Sequence, residues 1–315
     1  MKFLGRQLVE AMMFFVVPGI AALLPWKLGW RWLRWWARRE SGPFNEPARA
    51  AVAVASKYLD VGDEKAFATR VRMVWLIDYC DFLLSITRRR RIWHPWHVQR
   101  VGEWPREGAF IAAGFHHGAC YWLYRILAEA GHDCMTISIR WDREEYRQHP
   151  VRYWYGRLRY WDMERISRLP IAYRPGIKPM LKQALASGAA VLSLVDLPPR
   201  MAPRGQRSVR LLDQDLSFTE GVVELAREAG VPVVPFWVEF DTDFYTRRFC
   251  IGAPLDPTDV DATLQTLASI LDRQIRRAPE AWIFWSELPR WIEDAKKLRE
   301  AAVSAQETEV ASEAG

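Results

Sequence analysis

Apolar and polar positions divide the chain into stretches of different rhythm. From Ala11 to Leu24 the run AMMFFVVPGIAALL carries no charge, and Phe3 and Leu4 extend its apolar character upstream. The uninterrupted run is shorter than the ~20 residues a spanning helix needs. Pro18 and Gly19 in its middle predict a kink. RWLRWWARR follows at 31–39, with four Arg, three Trp and no acid. Cations interleaved with Trp suit a surface that meets anionic headgroups. No Ala-x-Ala cleavage site separates the two. Residues 1–40 therefore read as a retained interfacial or re-entrant membrane anchor, with a helix buried in the core as the competing reading.

Residues 41–97 read as a helical region. PFNEPARAAVAVASKYL and DEKAFATRVRMVWLIDYCDFLLSI predict two helices over 44–86. In the second, Phe67, Val71, Val74, Trp75, Ile77 and Phe82 fall near helical spacing and mark a packed face. The basic run Arg88–Arg91, beside IWHPWH, is either a solvated cluster or a lipid-surface contact.

From about residue 98 short apolar runs alternate with helical stretches. Strands are expected at 109–115, 134–139, 169–173, 189–197, 231–240 and 248–255. Helices are expected from Gly118 to Glu129, up to about Met163, from Gly176 to Ala186, near Phe218–Ala229 and over 258–277. This alternation predicts an α/β domain over 98–300, with a mixed, mostly parallel central sheet flanked by helices. The small, acidic end, 301–315, is expected to be a disordered tail.

Composition sharpens this picture. Half of the 315 residues are apolar, enough for a substantial core, and the chain carries 17 Trp and a net charge of +6. Trp favours membrane interfaces. The basic clusters adjoin the apolar N-terminal segment instead of forming an isolated patch, which favours a membrane and argues against nucleic acid. The four Cys are scattered, with no CxxC pair, and read as reduced thiols. No GxGxxG, Walker loop, HExxH or GxSxG occurs.

The best place for chemistry is GFHHGACYW, residues 114–122, where an apolar strand gives way to a helix. Strand ends at such turns present reactive groups. A His there suits general-base work on a hydroxyl, because its pKa lies near neutrality, and it needs a neighbour to fix its tautomer.

His116-His117-Gly118-Ala119-Cys120-Tyr121 resembles the His-x4-Asp/Glu motif of the lipid A biosynthesis (lauroyl/myristoyl) acyltransferase family, within the wider lysophospholipid acyltransferase-like superfamily. The similarity continues in order through HVQRVGEWPREGAFIAAGFHHG, RPGIKPMLKQALASGAAVLSLVDLPPR, RSVRLLDQDLSFTEGVVELAREAGVPVVPFW and APEAWIFW. By this resemblance His116 falls on the catalytic histidine, Gly118 on the motif glycine and Asp196 on a strand-end acid. Tyr121 stands where the motif carboxylate is expected. The residues five places after each His are Gln99, Gly102, Tyr121, Trp122, Ile137 and Trp154, none of them acidic. Three explanations stay open: Tyr121 orients His116, a distant acid such as Asp196 or Glu220 approaches it, or the chain binds acyl substrates without turnover.

The resemblance implies transfer of a fatty acyl group from an acyl-carrier-protein or acyl-CoA thioester to a hydroxyl or amine of a membrane lipid, either lipid A-like or another amphiphile. The alternative is a non-catalytic acyl- or lipid-binding homologue that assists a partner enzyme. No metal or other cofactor is expected. The implied location is the cytoplasmic face of the inner membrane, at an anionic surface. His116, Tyr121 and Asp196 are the catalytic candidates. His117, Gly118, Arg174, Arg200 and Arg210 are the substrate-binding candidates, with Lys178 beside Arg174 as a further cation. Trp141, Trp154 and Trp161 line an acyl groove or pack a core.

Overall fold

The computed structural model describes residues 2–40, 44–87, 98–140, 143–241 and 243–313; the Arg88–Arg91 run with IWHPWH, and Trp141, lie outside them. Nine strands form among the described residues. They are β1 (Val98–Val101), β2 (Phe110–Gly114), β3 (Cys134–Ser138), β4 (Ala172–Tyr173), β5 (Ala190–Leu194), β6 (Gln206–Leu211), β7 (Gln214–Thr219), β8 (Val233–Phe240) and β9 (Arg247–Ile251). Seven build one sheet in the order β1-β9-β8-β2-β5-β3-β4, and β6-β7 pair as a separate hairpin. All neighbours in the large sheet are parallel except β8 and β9. This is the mixed, mostly parallel α/β sheet that the alternation predicts.

Burial on both faces explains why the central strands read as continuous apolar runs. Along β2, Phe110 and Ala112 join one core cluster, while Ile111 and Ala113 join the other. The helices are α1 (Lys2–Ala11), α2 (Val17–Leu23), α3 (Trp26–Ala37), α4 (Asn45–Ala55), α5 (Glu64–Thr87), α6 (Leu123–Glu129), α7 (Arg143–Gln148), α8 (Pro150–Ser167), α9 (Lys178–Ala186), α10 (Gly221–Ala229), α11 (Val260–Arg277) and α12 (Leu288–Glu313). The first cluster draws on α2, α3, α5, α6 and α8, and the second on α4, α9, α10, α11 and the hairpin.

Helix runs from Phe3 to Leu23, long and apolar enough to cross a membrane. A π-turn at Met12–Val16 joins α1 to α2. Pro18 has no N–H to donate to the preceding turn, which is where such a widening is expected. One face of this helix packs into the protein through Phe14, Val17, Ala21 and Ala22. The opposite face leaves Phe3, Leu4, Leu8, Val16, Ile20 and Leu23 exposed. The helix thus turns one apolar surface outward and a second one into the core.

Three expectations are corrected. Residues 118–122 form no helix, because α6 begins only at Leu123. The stretch 206–219 is a β-hairpin, so the helix expected from Phe218 begins at Gly221. The backbone of α12 continues helically to Glu313, through the segment expected to be disordered; Ala, Glu and Gln there are good helix formers. Trp154 and Trp161 are about half exposed on α8, so neither is a core residue.

Candidate functional site

Adjacent strands β2 and β5 set the centre of the site. They run parallel with Gly114 opposite Leu194. His116 and Asp196 each lie two residues beyond that pair, so the register brings them side by side. Val195 N–H donates to the Gly114 carbonyl at 3.0 Å and carries the pairing one step past the sheet. From here the chain after β2 turns to α6 on one face, and the chain after β5 turns to the hairpin and α10 on the other. Such divergence opens a crevice at the carboxyl ends of the strands. Gly114 is required for this approach: a Cβ there would lie 2.1 Å from the Phe236 ring.

Asp196 is fully buried. A lone buried carboxylate would cost several kcal/mol, on the order of the penalty for an unpaired internal ion. Here three N–H groups satisfy it. The backbone N–H of His116 donates to both oxygens, at 2.9 and 3.0 Å. His116 Nδ1 lies 2.9 Å from Oδ1, and the Trp282 indole N–H donates to Oδ2 at 3.1 Å. A carboxylate only accepts, so Nδ1 carries the proton and Nε2 is left with a free lone pair. The His116 side chain is 23% exposed, which leaves this nitrogen approachable. The Phe284 ring packs 4.7 Å from the imidazole and limits its rotation.

A strap, residues 278–285, closes over the loop. The Ile283 N–H donates to the His116 carbonyl at 3.1 Å, and the Gly118 N–H donates to the Ala281 carbonyl at 2.8 Å. Gly118 adopts φ +81°, and a Cβ would press on Val238 and Phe240 at 3.2 Å. Glycine therefore serves the turn. His117 is buried, and its Nε2–H donates to the Ala278 carbonyl at 3.1 Å. Burial pushes its pKa down to about 4, against weaker upward pulls from that carbonyl and from Asp196. His117 is thus a neutral joint between loop and strap and is not placed to bind substrate.

Tyr121 is also redirected. Its hydroxyl donates to Asp162 at 2.8 Å instead of to the His116 ring. With no helix across 118–122, the one-turn spacing that would set position 121 over position 116 is lost. Asp162 also accepts from Ser85 at 2.5 Å and pairs with Arg165. Arg159 lies over the Tyr121 ring at 4.8 Å.

Other candidates scatter along the same edge or leave it. Arg174 follows the carboxyl end of β4, on the His116 side of the sheet, and its Nε is buried without a hydrogen-bond partner among the described residues. Arg200 lies beyond Asp196 and pairs with Glu287 through its Nε at 2.5 Å. Arg210 sits near the hairpin tip, paired with Asp215 at 3.0 Å, while the hairpin's open end is the part tied to Val195. The structure therefore does not bring Arg210 to His116. Lys178 pairs with Glu228 and Glu220 with Arg207. Trp282, which completes the Asp196 environment, carries no local sign of that role, although APEAWIFW had marked the segment. No cluster suited to a metal ion occurs among the described residues, and no disulfide joins the four cysteines.

Residues 164–291, which contain Asp196 and Trp282 but not His116, match the family model for bacterial lipid A biosynthesis acyltransferases. Among solved structures, the chain is similar to the 1-acyl-sn-glycerophosphate acyltransferase PlsC from Thermotoga maritima. That likeness has 15% identity, covers 75% of this chain and 96% of that one, and has a TM-score of 0.34. No curated protein matches the chain. Over residues 164–291 the chain is thus similar to the bacterial lipid A biosynthesis acyltransferases.

Proposed function

We propose that the chain transfers a fatty acyl group from an acyl-carrier-protein or acyl-CoA thioester to a hydroxyl or amine of a membrane amphiphile, with His116 as general base and Asp196 as its orienting acid. The observation that carries this reading is the His116–Asp196 contact at 2.9 Å, together with the lone pair it leaves on Nε2. Nε2 takes the acceptor's proton as the acceptor oxygen or nitrogen attacks the thioester carbonyl. Asp196 stabilises the imidazolium that forms. Collapse of the tetrahedral intermediate breaks the C–S bond, and the proton passes from Nε2 to the departing thiolate. The thioester is already activated, so these steps need no metal.

The N–H groups of His116 and Gly118 are engaged with Asp196 and Ala281. Charge on the substrate must therefore be met from elsewhere on the edge. Arg174 suits a phosphate of donor or acceptor, and Arg200 does so by exchanging Glu287 for it. The exposed apolar face of the N-terminal helix supports a reading in which this edge works at the cytoplasmic side of the inner membrane.

The test is acyl transfer from labelled acyl-carrier protein or acyl-CoA into a membrane lipid extract. Wild type should label a lipid, and His116→Ala should not. Asp196→Asn should lower kcat by on the order of 10³-fold or more, as loss of the tautomer-fixing acid does in a Ser-His-Asp triad. Wild-type activity untouched by Asp196→Asn would remove Asp196 from the mechanism. No transfer by wild type with any donor would favour a binding homologue.

A further inference from the structure

Strand β8 runs parallel to β2, so the turn after it opens on the same edge as His116. There a pocket of about 300 Å³ lies between that turn, the end of α3 and the start of α5. Arg34 lines it from α3 and Arg38 from the turn just after that helix, Thr69, Arg70 and Met73 from α5, and Phe244 from the turn after β8. Two contacts tie it to the catalytic loop. Arg70 pairs at 2.9 Å with Glu280, the neighbour of the Ala281 carbonyl that holds Gly118. Phe244 packs 4.8 Å from Phe240, the ring that a Cβ on Gly118 would meet.

The walls are fixed before any ligand arrives. Trp26 and Trp30 donate their indole N–H groups to the Tyr245 and Asp243 carbonyls at 3.2 and 3.1 Å. Arg72 donates to the Ala37 carbonyl at 2.6 Å, joining α5 to the end of α3. The charge on these walls is not fully balanced. Glu280 is committed to Arg70, Asp243 stands at a loose 3.7 Å from Arg34, and Arg38 has no carboxylate partner among the described residues. Guanidinium forks match phosphate oxygens. Beside them Met73 and Phe244 offer an apolar shoulder that an inorganic ion would leave unused.

We propose that this pocket binds the phosphate monoester of an anionic amphiphile, whose unsubstituted oxygens the guanidinium forks can grip, and so holds the acceptor's headgroup on the edge that His116 shares. The inference rests on the acyl-transfer reading above for the identity of the ligand as acceptor, but its test does not need turnover. Full-length protein would be titrated with phosphatidylcholine vesicles that contain either phosphatidic acid or phosphatidylglycerol at equal surface charge. Wild type should prefer the phosphatidic acid vesicles by about tenfold, the scale of one added charge-assisted contact pair. The Arg34→Ala/Arg38→Ala double variant should lose that preference. Arg31→Ala/Arg39→Ala, on the same segment but outside the pocket, should keep it. Equal binding of wild type to both vesicles would overturn the proposal, and so would an equal loss in both double variants, which would mean general surface charge. Inorganic phosphate that binds without vesicles as tightly as phosphatidic acid does within them would assign the site to the free ion instead. Normal acyl transfer without the preference would defeat the pocket and leave the enzyme reading standing, while the preference without transfer would do the reverse.

Discussion

Tyr121 stands where a motif acid is expected, yet its hydroxyl belongs to a buried network with Asp162, Ser85 and Arg165. Tyr121→Phe should therefore cost about 2 kcal/mol of stability, the worth of one neutral-to-charged hydrogen bond, and leave transfer within roughly threefold of wild type. Denaturant unfolding and steady-state rates check both halves. A collapse of kcat with unchanged stability would return Tyr121 to the catalytic group. His116 was legible because its residue type and its place after an apolar strand agree. Asp196 was legible as a strand-end acid. Their contact was legible only as one of three open alternatives, because it depends on which strands are neighbours. The Trp282 contribution arrives from 86 residues away and leaves no local trace.

At the scale of elements, the buried strands and most α/β helices followed from apolar runs and helical spacing. The hairpin did not. Its turn puts Leu212 and Asp213 at φ of 54° and 58°, positions usually marked by Asn or Gly. Exposed Arg207 and Arg210 on β6 made the rest look like a basic loop. The strap over the His116 loop is an element of another kind, held partly by His117. The folded pKa of His117, about 4, is below its ordinary value of 6.5. The unfolded chain therefore binds the proton more readily, and this group withdraws stability as pH falls from about 6.5 to 4. The loss approaches about 3 kcal/mol at the lower limit, and the group has no effect above neutrality. Urea melts at pH 7 and pH 5 should show wild type losing more stability than His117→Gln. Equal losses would place the acid sensitivity elsewhere.

For the molecule as a whole, the N-terminal helix supplies a long apolar surface that the protein leaves uncovered. Its outward residues Leu8 and Leu23 are 68% and 65% exposed, so replacing them removes no internal packing. Leu8→Asp/Leu23→Asp should leave the Tm within a few degrees and move the protein from the membrane pellet to the supernatant, since each acid opposes insertion by roughly 2–3 kcal/mol at depth. Retention in the pellet would mean that another surface anchors the chain. This two-sided role of the segment was only half visible beforehand: an uncharged run announces apolar surface but does not say how much of it the protein itself covers.

Because the register of two strands, and not the pitch of a helix, sets the His116–Asp196 contact, the partner acid is free of any fixed spacing in the chain. Searches that demand an acid five residues after the histidine will pass over proteins built this way. A query better matched to the geometry asks for a histidine two residues past one buried strand and an aspartate two residues past its parallel neighbour, whatever the length of chain between them.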